Sequence, residues 1–190
     1  MSEIWLTSDL HLMHNKSFLY EPRGFSSTEK MCEAIVERWN SVVDENDLIY
    51  NLGDMVLSDV EAAIPYLRAL KGQQIWLRGN HCTENKVKRI LETCPNIKLL
   101  SDIESSYATI FKNGKWTFYL SHYPTKVGNY DDAKWNKIWC LCGHTHTQDK
   151  FIDITDSCYH VEMDAHNCYP VNIEQIKEDI RQFSVTGGVY

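Results

Sequence analysis

The sequence predicts an α/β fold, and three observations carry the prediction. Over residues 4–92, short apolar runs alternate with segments whose apolar residues recur at helical spacing. Each run is too short for a helix and ends on Gly, Asp, Asn or His, as a strand does when it feeds a loop. Beyond residue 106 the pattern changes to β-rich runs, two of them joined by Asn113-Gly114, a strong hairpin signal. Mainly parallel strands are expected in the first half, with a second group of strands after them.

Taken in order, Ile4, Trp5 and Leu6 begin a buried strand that delivers Asp9 and His11 to its end. Two residues apart in an extended chain, those side chains point the same way. Ser27 or Thr28 opens a helix whose apolar positions are Met31, Ile35, Trp39 and Val42 or Val43. A second strand covers residues 47–51. Ser58-Asp59 reads as the next N-cap, with Val60, Ile64, Leu67 and Leu70 as the buried stripe and Gly72 as the stop. Pro65 implies a kink or a later start. A third strand covers 74–78 and a third helix 84–92. The hairpin pairs 107–111 with 116–120. One more strand is expected over 138–141, strand-like pieces over 151–154 and 159–163, and a final amphipathic helix over 173–183.

A chain of 190 residues, 43% hydrophobic and 24% charged, suits one globular domain spanning 1–190. The formal charge of −7 argues against a general DNA-backbone binder, which needs a basic stripe. Seven cysteines cannot all pair within one chain. No basic-then-apolar leader is visible at the N-terminus, and no apolar run approaches the ~18 residues of a membrane span. The expectation is a reduced, cytoplasmic protein without a membrane partner. Cys140-Leu141-Cys142 reads as buried strand thiols.

The strand ends share one chemistry. Asp9-Leu10-His11, Gly53-Asp54, Gly79-Asn80-His81, Ser121-His122 and Gly143-His144-Thr145-His146 bring Asp, Asn and His together along one sheet edge. Two-metal phosphoryl hydrolysis needs such ligands, with one carboxylate bridging ions ~3.5–4 Å apart. Asp54 is the candidate bridge. A histidine just beyond the ions can protonate the leaving oxygen.

The five blocks, in this order over residues 9–146, resemble the calcineurin-like metallophosphoesterase superfamily, small bacterial and phage members in particular. The resemblance implies a four-layer sandwich of two mixed β-sheets with helices outside. It places Asp9, His11 and His146 on one ion, Asn80, His122 and His144 on a second, and Asp54 on both, with His81 as the catalytic histidine. The implied cofactors are two divalent metal ions, manganese first, with iron, zinc or nickel as alternatives. The implied activity is hydrolysis of a phosphomonoester or phosphodiester by a metal-bound hydroxide, in a nucleotide or other small substrate. A nuclease acting on nucleic-acid ends and a metal-binding scaffold are the rival readings. Relatives commonly follow Gly-Asn-His with an acidic residue, where this chain has Cys82. Many also place Asp or His after Gly-Asp, where it has Met55-Val56-Leu57. Either support for His81 comes from elsewhere, for instance His14, or the leaving group needs little protonation.

Outside the blocks, His14, Asn15 and Arg23 are candidate substrate contacts, Arg because its fork of donors suits phosphate. His160 and His166 read as ordinary, although Asp164-Ala165-His166 mimics Asp-x-His. Trp135 and Trp139 read as packing residues. Specificity is expected in loops 13–25 and 123–137.

Overall fold

The computed structural model describes residues 2–100, 107–127, 138–152 and 157–186. The chain runs β1 (Ile4–Thr7), α1 (Ser17–Tyr20), α2 (Thr28–Val42), β2 (Leu48–Asn51), α3 (Val60–Ala69), β3 (Gln73–Trp76), α4 (Glu84–Thr93) and β4 (Ile97–Leu99). It continues with β5 (Ala108–Asn113), β6 (Trp116–Ser121), β7 (Trp139–Cys142), β8 (Cys158–His160), a 3-10 turn (Met163–His166), β9 (Val171–Asn172) and α5 (Ile173–Thr186). One sheet has the order β4-β3-β2-β1-β9, and the other β5-β6-β7-β8. The first is parallel except for β9, and the second except for β5, so both sheets are mixed. The molecule is α/β, two mixed sheets flanked by helices, as expected.

Alternation along the strands makes the layers. Ile49 of β2 faces the core shared with Met31, Ile35 and Trp39 of α2, Leu67 of α3 and Ile90 of α4. Leu6 of β1 faces the opposite way, into a second core with Phe118, Leu120, Leu141, Tyr159 and the Ile176–Ile180 stripe of α5. Phe118, Leu120 and Leu141 come from the second sheet, so this core joins the two sheets. β1, β2, β3, β6 and β7 all end at the same edge, which gathers the Asp, Asn and His blocks.

The helices begin where their caps lie: Ser27 Oγ accepts from Lys30 N–H, and an Asp59 carboxylate oxygen from Ala62 N–H. α3 runs unbroken through Pro65, which lies on its exposed side, where water can satisfy the carbonyl that the missing N–H leaves over. The hairpin is shifted by one residue from expectation. Asn113 pairs with Trp116, so the turn is Gly114-Lys115 with Gly114 at φ 61°, the glycine-first form. β4, β9 and α1 are too short to leave a periodic signal. Phe151 and Ile152 lie outside any strand, while 153–156 fall outside the described residues. Trp139 is buried against Phe151 and Phe183, whereas Trp135 and most of the 123–137 loop lie outside the described residues.

Asp47 pins the entry of β1. Its carboxylate accepts from Glu3 N–H at 2.8 Å, Trp5 Nε1–H at 3.0 Å and Asp44 N–H at 3.0 Å. Burial alone would raise its pKa, but these donors hold it below the usual carboxylate value. Asp47→Ala is expected to cost about 2 kcal/mol in urea unfolding, since one change strands three donors. Because the folded pKa is depressed, wild type holds this advantage above about pH 4 and loses it as acid takes the carboxylate through its lowered value. The variant's stability should therefore be flatter across that acid range.

Candidate metal centre

The strand ends turn sharply to make the site. Asp9, His11, Asp54, His144 and His146 have positive φ, at 56°, 49°, 51°, 75° and 52°. Left-handed backbone at a non-glycine residue costs of order 1–3 kcal/mol and persists where the surroundings enforce it. Asp9 and His11 therefore converge through two left-handed turns, not through the extended chain expected from their spacing. Three bonds hold this loop alongside the one after β2: Asp9 N–H to Gly53 O, His11 N–H to Asp54 O and Leu12 N–H to Met55 O.

Asp9, His11 and His146 form one group whose ligand atoms all lie within 4.8 Å of one another. Asp9 Oδ1 is 3.4 Å from His11 Nε2 and 3.7 Å from His146 Nε2. Asp9 Oδ2 is occupied, accepting from Ser8 Oγ–H at 2.6 Å and His144 N–H at 2.8 Å. Asp9 Oδ1 and both ring nitrogens of His11 are buried without a hydrogen-bond partner. Orphaned acceptors converging in a buried site are costly for a bare protein and fit a divalent cation. Burial would raise the Asp9 pKa, but His11, His122 and His146 together drive it well below the carboxylate range.

Asp9, Asp54 and His122 form a second group of the same tightness. His122 Nε2 lies 3.3 Å from Asp54 Oδ2 and 2.8 Å from Asn80 Oδ1, and His144 Nδ1 lies 3.0 Å from the same Asn80 oxygen. The Nδ1–H of His122 faces Leu52 O at 2.9 Å, which leaves Nε2 for the site. All seven residues of the expected ligand set thus come together. Asp9, not Asp54, belongs to both three-atom groups. The close packing also explains Gly79: a Cβ there would lie 2.2 Å from Asp54 Oδ1.

His81 stands edge-on to His11 with ring centroids 5.7 Å apart. Its N–H donates to Asp54 Oδ1 at 3.0 Å, and its carbonyl accepts from Lys86 Nζ at 3.2 Å. Lys86 also donates to Leu57 O, so this α4 ammonium joins the two backbone stretches whose side chains lack the usual support. Cys82 lies beneath, its thiol 3.7 Å from Asp54 Oδ1 and accepting from Gly79 N–H. His14 packs on His11 at 5.6 Å, and no hydrogen bond joins it to His81 among the described residues. Burial, then the nearby His11, His81 and His146, push its pKa down to about 4. Lys86→Met is expected to lower kcat about tenfold with metal content unchanged, through a slackened His81 loop. Steady-state kinetics beside metal analysis checks it.

Of the three candidate substrate contacts, Asn15 is exposed. Arg23 is a correction. Its side chain is 1% exposed, and its guanidinium faces inward, onto both oxygens of Asp164 at 2.9 and 2.6 Å and onto the Leu10 and Asp9 carbonyls. A fork so occupied has nothing left for phosphate. Asp164 in turn accepts from His146 Nδ1–H at 3.0 Å, fixing the tautomer that aims Nε2 inward. Burial would raise Asp164, yet His146 and Arg23 hold it at about 2. The sequence reading missed this residue, although the Asp-x-His mimic contained it. It also missed Glu162, whose Oε1 accepts from Thr145 Oγ–H and Thr147 N–H and so ties down the His146 loop.

Two mixed sheets thus deliver buried carboxylates and imidazoles to one edge, a donor set that suits divalent metal ions. The chain belongs to the calcineurin-like phosphoesterase family, whose model matches residues 2–176, and this supports metal-dependent phosphoester hydrolysis. It is 32% identical over 133 residues to the uncharacterized protein MJ1445 of Methanocaldococcus jannaschii, covering 68% of this chain and 74% of that one. It is 26% identical over 204 residues to the gene 66 protein of Mycobacterium phage D29, covering 96% and 99%. Among solved structures, the protein of unknown function AQ665 from Aquifex aeolicus superposes with a TM-score of 0.69 at 18% identity, covering 94% and 99% of the two chains, a likeness of fold. No helix among the described residues is long and apolar enough to cross a membrane.

Proposed function

We propose that the protein is a cytoplasmic hydrolase of phosphomonoesters or phosphodiesters that uses two divalent ions, manganese by preference. The carrying observation is the orphaned, buried Asp9 Oδ1 and His11 imidazole beside a second group built on Asp54 and His122. Asp9, His11 and His146 would hold one ion, Asn80, His122 and His144 the other, with Asp54 between them. Such ions neutralise phosphate charge and make a bound water acidic near neutral pH.

The chain's own groups do the rest. Asp164 and the Leu52 carbonyl hold the Nδ1 protons of His146 and His122, so both rings meet the site through Nε2. His81 would give its ring proton to the leaving oxygen, its loop fixed by Asp54 Oδ1 and Lys86. The exposed rings of Tyr123, 4.8 Å from His144, and Phe18, 5.6 Å from His14, offer planar faces at the margin. They favour a substrate with a ring of its own, such as a nucleotide.

The test is turnover of p-nitrophenyl phosphate, bis(p-nitrophenyl) phosphate and a panel of nucleotide mono- and diesters, with manganese and with chelator. Turnover that needs the metal is expected, strongest on a nucleotide. If every ester survives while the metal is bound, the reading fails.

A further inference from the structure

A second cluster of ligating side chains lies on the other face of the second sheet, away from the core between the sheets. Cys140 and Cys142 alternate with Leu141 on β7, so their thiols share the outer face. The parallel register of β8 sets Cys158 beside Cys140 and His160 beside Cys142. The three sulfur atoms all lie within 4.8 Å of one another, and His160 Nδ1 lies 3.9 Å from Cys142 Sγ. Cys140 and Cys142 are 0% exposed, Cys158 6% and His160 1%. Tyr119 and Val127 pack around the group.

We propose that Cys140, Cys142 and Cys158 form a structural site for a thiophilic cation, zinc(II) or copper(I), separate from the phosphoesterase centre. Three soft sulfur donors with no carboxylate among them select such ions over manganese or magnesium. For zinc, binding exchanges three thiol protons, released to solvent, for three metal–sulfur bonds, with no change of oxidation state. It leaves one net negative charge. His160 lines the group: its Nδ1 faces Cys142 Sγ and lies 3.2 Å from Thr145 Oγ and 3.6 Å from Glu162 Oε2. The strand that carries Cys140 and Cys142, and the two residues against His160, also reach the edge that gathers the other centre. β7 runs from Cys142 straight into Gly143 and His144, while Thr145 and Glu162 fix the His146 loop. The site is therefore a clamp that locks β7 to β8 beneath two candidate ligands of the other centre.

The experiment uses the full chain purified without chelator. Elemental analysis is expected to give about one zinc or copper per chain in wild type and in Asp54→Asn/His122→Asn, and its loss in Cys140→Ser/Cys158→Ser. The element found decides between the two ions. Cobalt-loaded wild type should show a thiolate-to-cobalt charge-transfer band, which nitrogen and oxygen ligands cannot produce. That band should persist in Asp54→Asn/His122→Asn and vanish in Cys158→Ser. Should the serine variants fail to fold, metal-edge X-ray absorption on wild type decides, with a sulfur shell of about three atoms expected. Folded wild type without thiophilic metal and without the band overturns the proposal. So does a band untouched by Cys158→Ser, or a Cys140–Cys158 disulfide in the unreduced peptide map.

Discussion

Replacing Asp54 by Asn is expected to lower turnover of a phosphoester on the order of 10³-fold while the protein stays folded. The amide keeps the shape and one acceptor, so His81 N–H and His122 retain a partner at Asp54 Oδ1 and Oδ2 positions that the carboxylate fills in wild type. What disappears is the second anionic oxygen, and on the proposed two-ion reading the hold on one ion and its electrostatic stabilisation would go with it. Metal content should fall with activity. Wild type should gain about 2.7 kcal/mol of stability at manganese one hundred times its dissociation constant, and the variant less. Equal kcat and an equal manganese-induced rise in melting temperature would show that Asp54 is not part of the centre.

The largest effect on stability is expected from Arg23→Met. The change removes a cation whose side chain is 1% exposed, leaves Asp164, 8% exposed, with His146 alone, and strands two backbone carbonyls. A buried charge left without its partner costs roughly 3–5 kcal/mol. The loss should appear in urea unfolding, and Arg23→Met/Asp164→Asn should recover part of it by removing the orphaned charge. Had Arg23 gripped phosphate, the signature would be a raised KM with stability unchanged. That outcome, or a loss under about 1 kcal/mol, would restore the role first read from the sequence.

The two results bear on what a sequence can reveal. Asp9, Asp54, Asn80, His122, His144 and His146 were legible because each stands at the end of an apolar run, and open sheets present such ends at one edge. Arg23 was misread because its partner Asp164 lies 141 positions away, and nothing local distinguishes a buried fork from an exposed one. Lys86 is a similar case. It substitutes backbone tethering for the side-chain support that Cys82 and Met55-Val56-Leu57 do not provide, and an ammonium on a helix looks like any solvated lysine. The fold followed periodicity well where elements were long, as in α2 and α5. It failed at β9, two residues paired antiparallel to β1, which only the completed sheet stabilises. The hairpin slipped by one residue because Asn113 is the last paired position and Gly114 takes the positive φ alone. The cysteine group was half visible. Cys140 and Cys142 are adjacent in the chain's alternation, but Cys158 joins them only through the register of β8.

The most direct test of the central claim is manganese anomalous scattering from crystals of the full chain. The account predicts two peaks flanking Asp54, one contacting Asp9, His11 and His146 and the other Asn80, His122 and His144. No peak beside Asp54, or a single ion that leaves Asp9 Oδ1 and His11 without a ligand, would contradict it.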